Sequence, residues 1–220
     1  MITPNPRLWS DFDGTAVGLV GKADPRNWSK YPLPGIEGYA EFLTGVRASG
    51  VEVAGVVSRR PDILLRRMAT ARSITKLGFG EFFTRPEQIV LAGSEEAKGM
   101  FVVEQSRDTT TGMLEDNPHK LGAVLLDAMT RPTDDTAPSH PIVLGVVSHG
   151  RSVEYAEKLY YQALGAASGM DELEVKTAGE SDRFSVLNTR SMTRLLVVPL
   201  EPYSRQAGEA FGNIVTGMAA

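Results

Sequence analysis

Short apolar runs recur along this chain with room for one amphipathic helix between them, and that alternation dictates βα units wound into a mainly parallel sheet. The clearest runs are 51–57 (VEVAGVV), 89–92 (IVLA) and 142–147 (IVLGVV). Strands apolar on both faces need helices on both sides. Ile36, Tyr39, Ala40, Leu43 and Val46 fall on one helical face, with Gly50 where a C-terminal cap belongs. Ile63, Leu64, Met68, Ala71, Ile74 and Leu77 make a second amphipathic helix, residues 95–105 a third, and Leu121, Val124, Leu125, Ala128 and Met129 mark a fourth. The expected class is therefore α/β, a Rossmann-like three-layer sandwich.

The remaining segments fit the same plan. Residues 7–10 lead into an acidic cluster as a short first strand, 14–21 read as a Gly-rich hairpin or flap, and 25–35 as a loop carrying Trp28 and Tyr31. Residues 109–114 are β-prone, and 131–141 (RPTDDTAPSHP) a surface loop. Beyond it come a helix over 153–164, a strand over 195–198 stopped by Pro199, and a last helix over 207–218. Residues 166–193 have weak periodicity and receive no assignment. The expectation is one domain over 1–220, with a motif-bearing core to about residue 130 and an elaboration from about 142 to 220 that adds a strand and helices.

Composition narrows the function. A chain of 220 residues, 42% hydrophobic and without cysteine, can bury a core unaided and has no thiolate zinc site, disulfide or Cys nucleophile. Its 23 Lys+Arg against 27 Asp+Glu give a net charge of −4, with no global attraction to nucleic acid. The start MITPNPRLW lacks a signal-peptide pattern, and no run approaches the roughly 20 apolar residues of a membrane span, so a cytoplasmic protein without a membrane partner is expected.

Four features carry chemistry. Asp11 and Asp13 in DFDGT stand two residues apart at a strand end, where like charges repel unless a cation or a turn separates them; Gly14 supplies such a turn. The alternative is a simple turn with an N-cap Asp. Ser58 follows the apolar strand, at the carboxyl end where α/β sheets bind ligands, or else caps the next helix. Lys98 lies near a helix N-terminus, unfavourable for the dipole unless an anion such as Glu95 or Glu96 compensates. Glu115 and Asp116 end a strand before Asn117 and Pro118, which suit a helix cap and first turn. The two acids are either a solvated turn or oxygen ligands for a hard divalent cation.

The order DFDGT, Ser58, Lys98, Glu115-Asp116 resembles the haloacid dehalogenase (HAD) superfamily of phosphohydrolases, over about residues 7–129. DFDGT and the stretch LPGIEGYAEFLTGVRASGVEVAGVVSRRP carry most of that resemblance. Two departures stand out: DTTTGML before the fourth motif is more polar than the family's usual strand, and the GDxxxD form is missing.

The resemblance implies a HAD-like core, Mg²⁺ and a mechanism. Asp11 would attack phosphorus to give an aspartyl-phosphate, and Asp13 would serve as general acid and later base. Ser58 and Lys98 would hold the phosphoryl oxygens, with Arg59, Gly14 and Thr15 lining the same site. Asp116 would bind Mg²⁺ with Asp11 and the Asp13 carbonyl, and Glu115 or Asn117 would complete the shell. An acid at position 13 favours phosphoester hydrolysis or phosphoryl transfer over dehalogenation.

Neither 14–57 nor 59–97 holds a full cap domain, which implies an open site or one covered by a partner subunit. A phosphorylated small molecule is the expected substrate, and a macromolecular one remains open. The competing readings are a phosphotransferase, a nucleic-acid end phosphatase, and a non-catalytic phosphate-binding module. A receiver-like module would need an Asp where the third strand ends in Ala92-Gly93-Ser94. His119, His149 and the basic helix face of Arg59, Arg60, Arg66, Arg67, Arg72 and Lys76 are weaker candidates, better explained by caps and solvation.

Overall fold

The structure, a computed structural model, describes residues 4–18, 35–130, 137–148, 150–177, 183–200 and 202–219. The strands are β1 (Arg7–Ser10), β2 (Glu52–Ser58), β3 (Ile89–Leu91), β4 (Thr111–Glu115), β5 (Ile142–Val147), β6 (Leu173–Thr177), β7 (Phe184–Asn188) and β8 (Arg194–Leu200). The helices are α1 (Tyr39–Ala48), α2 (Leu64–Lys76), α3 (Glu95–Gln105), α4 (Pro118–Thr130), α5 (Ser152–Ala167) and α6 (Arg205–Ala219). All eight strands form one sheet in the order β3-β2-β1-β4-β5-β8-β7-β6. From β3 across to β8 the pairing is parallel; β7 and β6 then continue it antiparallel.

Successive strand residues point to opposite faces, and that alternation builds two cores. Leu8, Val56, Leu114 and Val143 pack with Phe42 and Val46 of α1 and Phe211 and Val215 of α6. Trp9, Val57, Met113 and Leu144 pack on the other face with Val102, Leu121 and Leu159 from α3, α4 and α5. The fold is thus an α/β three-layer sandwich of the Rossmann-like kind. Helices α1 and α6 meet backbone to backbone: a Cβ on Gly208 would lie 2.0 Å from the Phe42 carbonyl oxygen.

Three local expectations need correction. The helix over 64–76 forms, but Leu64 is 75% exposed and Ile63 and Met68 are also exposed; the helix buries Thr70, Ser73 and Ile74 instead. The last strand runs through Pro199, which pairs with Val146. On the other side β7 starts at Phe184, opposite Val197. The unassigned stretch holds the hairpin partners β6 and β7, whose polar or half-buried residues, as in LEVKT, obscure the strand pattern. The flap beyond residue 18, the loop with Trp28 and Tyr31, and most of the 131–141 loop lie outside the described residues. Among the described residues no helix is long and apolar enough to cross a membrane.

Candidate functional site

In the order β2-β1-β4-β5 the chain direction of strand addition reverses between β1 and β4, and ligands of open α/β sheets bind beyond the carboxyl ends of strands at such a point. The acids of the first and fourth motifs meet there. The Asp11 backbone N–H donates to the Leu114 carbonyl at 2.8 Å, which brings the end of β1 alongside Glu115 and Asp116. Asp11, Glu115 and Asp116 offer carboxylate oxygens within 4.8 Å of one another, and this group can hold a metal ion.

Lys98 stands among them. Ser94 caps α3 by accepting from the Ala97 N–H at 3.1 Å, which fixes Lys98 in the helix's first turns, facing the sheet. Its Nζ lies 2.9 Å from Asp11 Oδ1, 2.5 Å from Glu115 Oε2 and 3.3 Å from Glu95 Oε1, with 2% of the side chain exposed. The unfavourable dipole position is therefore offset by three carboxylates, and the solvated-lysine alternative fails. Glu115 is equally buried; its Oε1 accepts from the Asn117 N–H at 3.0 Å.

Burial of these charges sets their titration. Asp11 is pushed up to about 8, first by burial and then by the Glu115 charge, with Lys98 pulling the other way. Glu115 and Asp116 are raised too, again chiefly by burial, opposed by Lys98. Burial works against the Lys98 ammonium, but Asp11, Glu115 and Glu95 outweigh it and hold it protonated well above the ordinary lysine range. Once ionised, three acids against one lysine would leave an excess of negative charge in this largely buried site, which a divalent cation with hard oxygen preference would match.

Asp13 has a different partner. Arg60, itself buried, donates from Nε to Asp13 Oδ2 at 2.7 Å and pairs its Nη2 with Oδ1, while Nη1 donates to Thr70 Oγ1 at 3.0 Å. Ser58 Oγ donates to the same Asp13 Oδ2 at 3.3 Å and accepts from the Arg60 N–H. Ser58 does not cap α2, which starts after Ile63. Arg59 is 63% exposed and points toward Glu95 at 3.9 Å, so the inward arginine is Arg60. The reading of the sequence placed both on a basic face; because they are adjacent, only one can face in.

Gly14 has φ +85, and a Cβ there would sit 2.2 Å from Asp116 Oδ2, so the turn after β1 presses its backbone against that carboxylate. Thr15 is buried with no hydrogen-bond partner for its hydroxyl, while its carbonyl accepts from Tyr203 Oη at 3.0 Å. Tyr203 gave no signal in the sequence, since it arrives from beyond β8. His119 packs edge-on against Tyr155, with ring centroids 5.3 Å apart. His149 lies outside the described residues. No family model, curated protein or solved structure matches this chain.

Proposed function

We propose that this chain is a Mg²⁺-dependent phosphohydrolase of the haloacid dehalogenase type, cleaving a phosphomonoester through an aspartyl-phosphate on Asp11. The observation that carries this reading is the meeting of Asp11, Glu115 and Asp116 with the buried Lys98 at the switch point of the sheet. A phosphate dianion repels a carboxylate nucleophile, and a lysine beside that nucleophile lowers the repulsion. Mg²⁺ held by Asp11, Asp116 and Glu115 would add charge neutralisation at the phosphoryl oxygens.

The steps then follow from the side chains. An Asp11 carboxylate oxygen attacks phosphorus, the bond to the leaving oxygen breaks, and that oxygen takes a proton from Asp13. Water next attacks the same phosphorus, giving its proton to Asp13; the bond to Asp11 breaks and inorganic phosphate leaves. Because Arg60 and Ser58 occupy both Asp13 oxygens, Asp13 enters the cycle by leaving that fork and taking up a proton from solvent, and the proton it accepts from the attacking water serves the next turnover. Lys98 binds a phosphoryl oxygen while staying paired with Glu115.

The direct test is release of p-nitrophenol from p-nitrophenyl phosphate. Turnover in Mg²⁺ that disappears in EDTA and returns when Mg²⁺ is restored is the expected result. Absence of turnover at all metal concentrations, with any of several phosphomonoesters, would refute the proposal.

Titration supplies a second test. Because folding raises Asp11 above the usual carboxylate value, the metal-free protein takes up a proton on folding between about pH 4 and 8, and stability falls as pH rises through that window. A cation requires the carboxylates ionised, and at roughly 100 times its Kd it stabilises by about 2.7 kcal/mol. In EDTA the melting temperature should drop from pH 6 to pH 8, and the rise on adding Mg²⁺ should be larger at pH 8. Equal rises at both values would show that these acids do not hold the ion.

A further inference from the structure

We propose that the cavity beyond the carboxyl ends of β5 and β8 receives the leaving group of the substrate, and that this group is a largely apolar alcohol bearing no second phosphate or carboxylate. The inference rests on the phosphomonoester reading above. The cavity has a volume of about 580 Å³, a size that encloses a small organic molecule. Glu115, the last residue of β4, pairs with Val146, the neighbour in β5 of Val147 on the cavity wall. Tyr203 on the other side reaches the Thr15 carbonyl, within the turn that follows Asp11 and Asp13.

The lining sets the chemistry. Ile36, Val147, Val153, Leu200 and Tyr203 present apolar surface. Two of the lining hydroxyls are already engaged: Ser152 Oγ accepts from the Ser148 N–H at 2.8 Å and donates to the Ser148 carbonyl at 3.1 Å, and the Tyr203 proton goes to Thr15. A sugar's hydroxyls would find those two hydroxyls engaged and would give up hydrogen bonds to water on entering a mainly apolar lining. Among the described lining residues none is a lysine, arginine or histidine, and Glu37 is the charged one. Among these described residues a second anion would meet the Glu37 carboxylate and no counter-ion. An apolar body gains by leaving water, and a cationic substituent near Glu37 is tolerated.

Binding to Asp11→Asn protein in Mg²⁺ tests this without turnover, with 1-naphthyl phosphate as the apolar probe and 3-phosphoglycerate as the doubly anionic one. The expected result is at least about tenfold tighter binding of 1-naphthyl phosphate. Val153 is half exposed at the start of α5, so Val153→Trp fills the cavity without disturbing the core. That variant should weaken 1-naphthyl phosphate about tenfold while leaving inorganic phosphate within about twofold. Glu37→Lys should strengthen 3-phosphoglycerate by a similar factor. Unchanged 1-naphthyl phosphate binding in Val153→Trp, or equal binding of the two esters to the parent, would overturn the pocket. A wild type that hydrolyses no ester yet shows the expected binding pattern refutes hydrolysis and supports the pocket. A wild type that hydrolyses both esters with equal kcat/KM does the reverse.

Discussion

Lys98→Met is expected to cost about 3–5 kcal/mol of stability at pH 7.5, a large part of the total for a domain of this size. The substitution keeps the aliphatic volume and removes the ammonium that sits between Asp11 and Glu115, leaving both carboxyls buried and without their counter-ion. Urea denaturation monitored by circular dichroism measures the loss. Acid should return part of it, because protonating Asp11 and Glu115 removes the charge that Lys98 had balanced; Mg²⁺ should return part of it by replacing the balancing charge. A variant as stable as the parent at pH 7.5 in EDTA would mean that the buried lysine is not holding the acids together.

Asp11→Asn is expected to lower turnover of p-nitrophenyl phosphate by at least about a thousandfold, since an amide oxygen cannot form the covalent intermediate. The same change should raise, not lower, the melting temperature of the metal-free protein near pH 8.5. Above about pH 8 the parent carries an ionised Asp11 that burial and Glu115 disfavour, and asparagine removes that charge. Opposite signs for activity and stability at one residue are the mark of a site held in tension for function. Retention of a tenth of the parent's activity would remove Asp11 from the nucleophile's role.

The layered fold was legible because its strands are apolar on both faces. IVLGVV over 142–147 and the capped helix over 95–105 fall at the boundaries their patterns predict, since Pro141 and Ser94 punctuate them. Helix α2 shows where periodicity misleads: its spacing is helical, but the apolar residues Ile63, Leu64 and Met68 face water, and an apolar stripe does not say which side the sheet is on. The β6–β7 hairpin escaped because an edge strand such as LEVKT is allowed to be polar. In the site, Asp11, Lys98, Glu115 and Asp116 were legible from their order along the chain. Arg60 was not, because the direction of a side chain after a strand end depends on the turn, and the turn depends on Asp13 itself. Tyr203 and the cavity were beyond reach, since they depend on how β8 lies beside β5.

Strand β1 is one of the sheet's interior strands, ranged between β2 and β4. During synthesis the segment ending in Asp11 is made well before its neighbour Leu114, and of its two partner strands β2 comes first. Asp11, Glu115 and Asp116 are therefore gathered by the long-range pairing of β1 with β4, not by any local contact. An ion held by these carboxylates would not seed the fold on the nascent polypeptide; it would lock a molecule in which β1 and β4 are already paired.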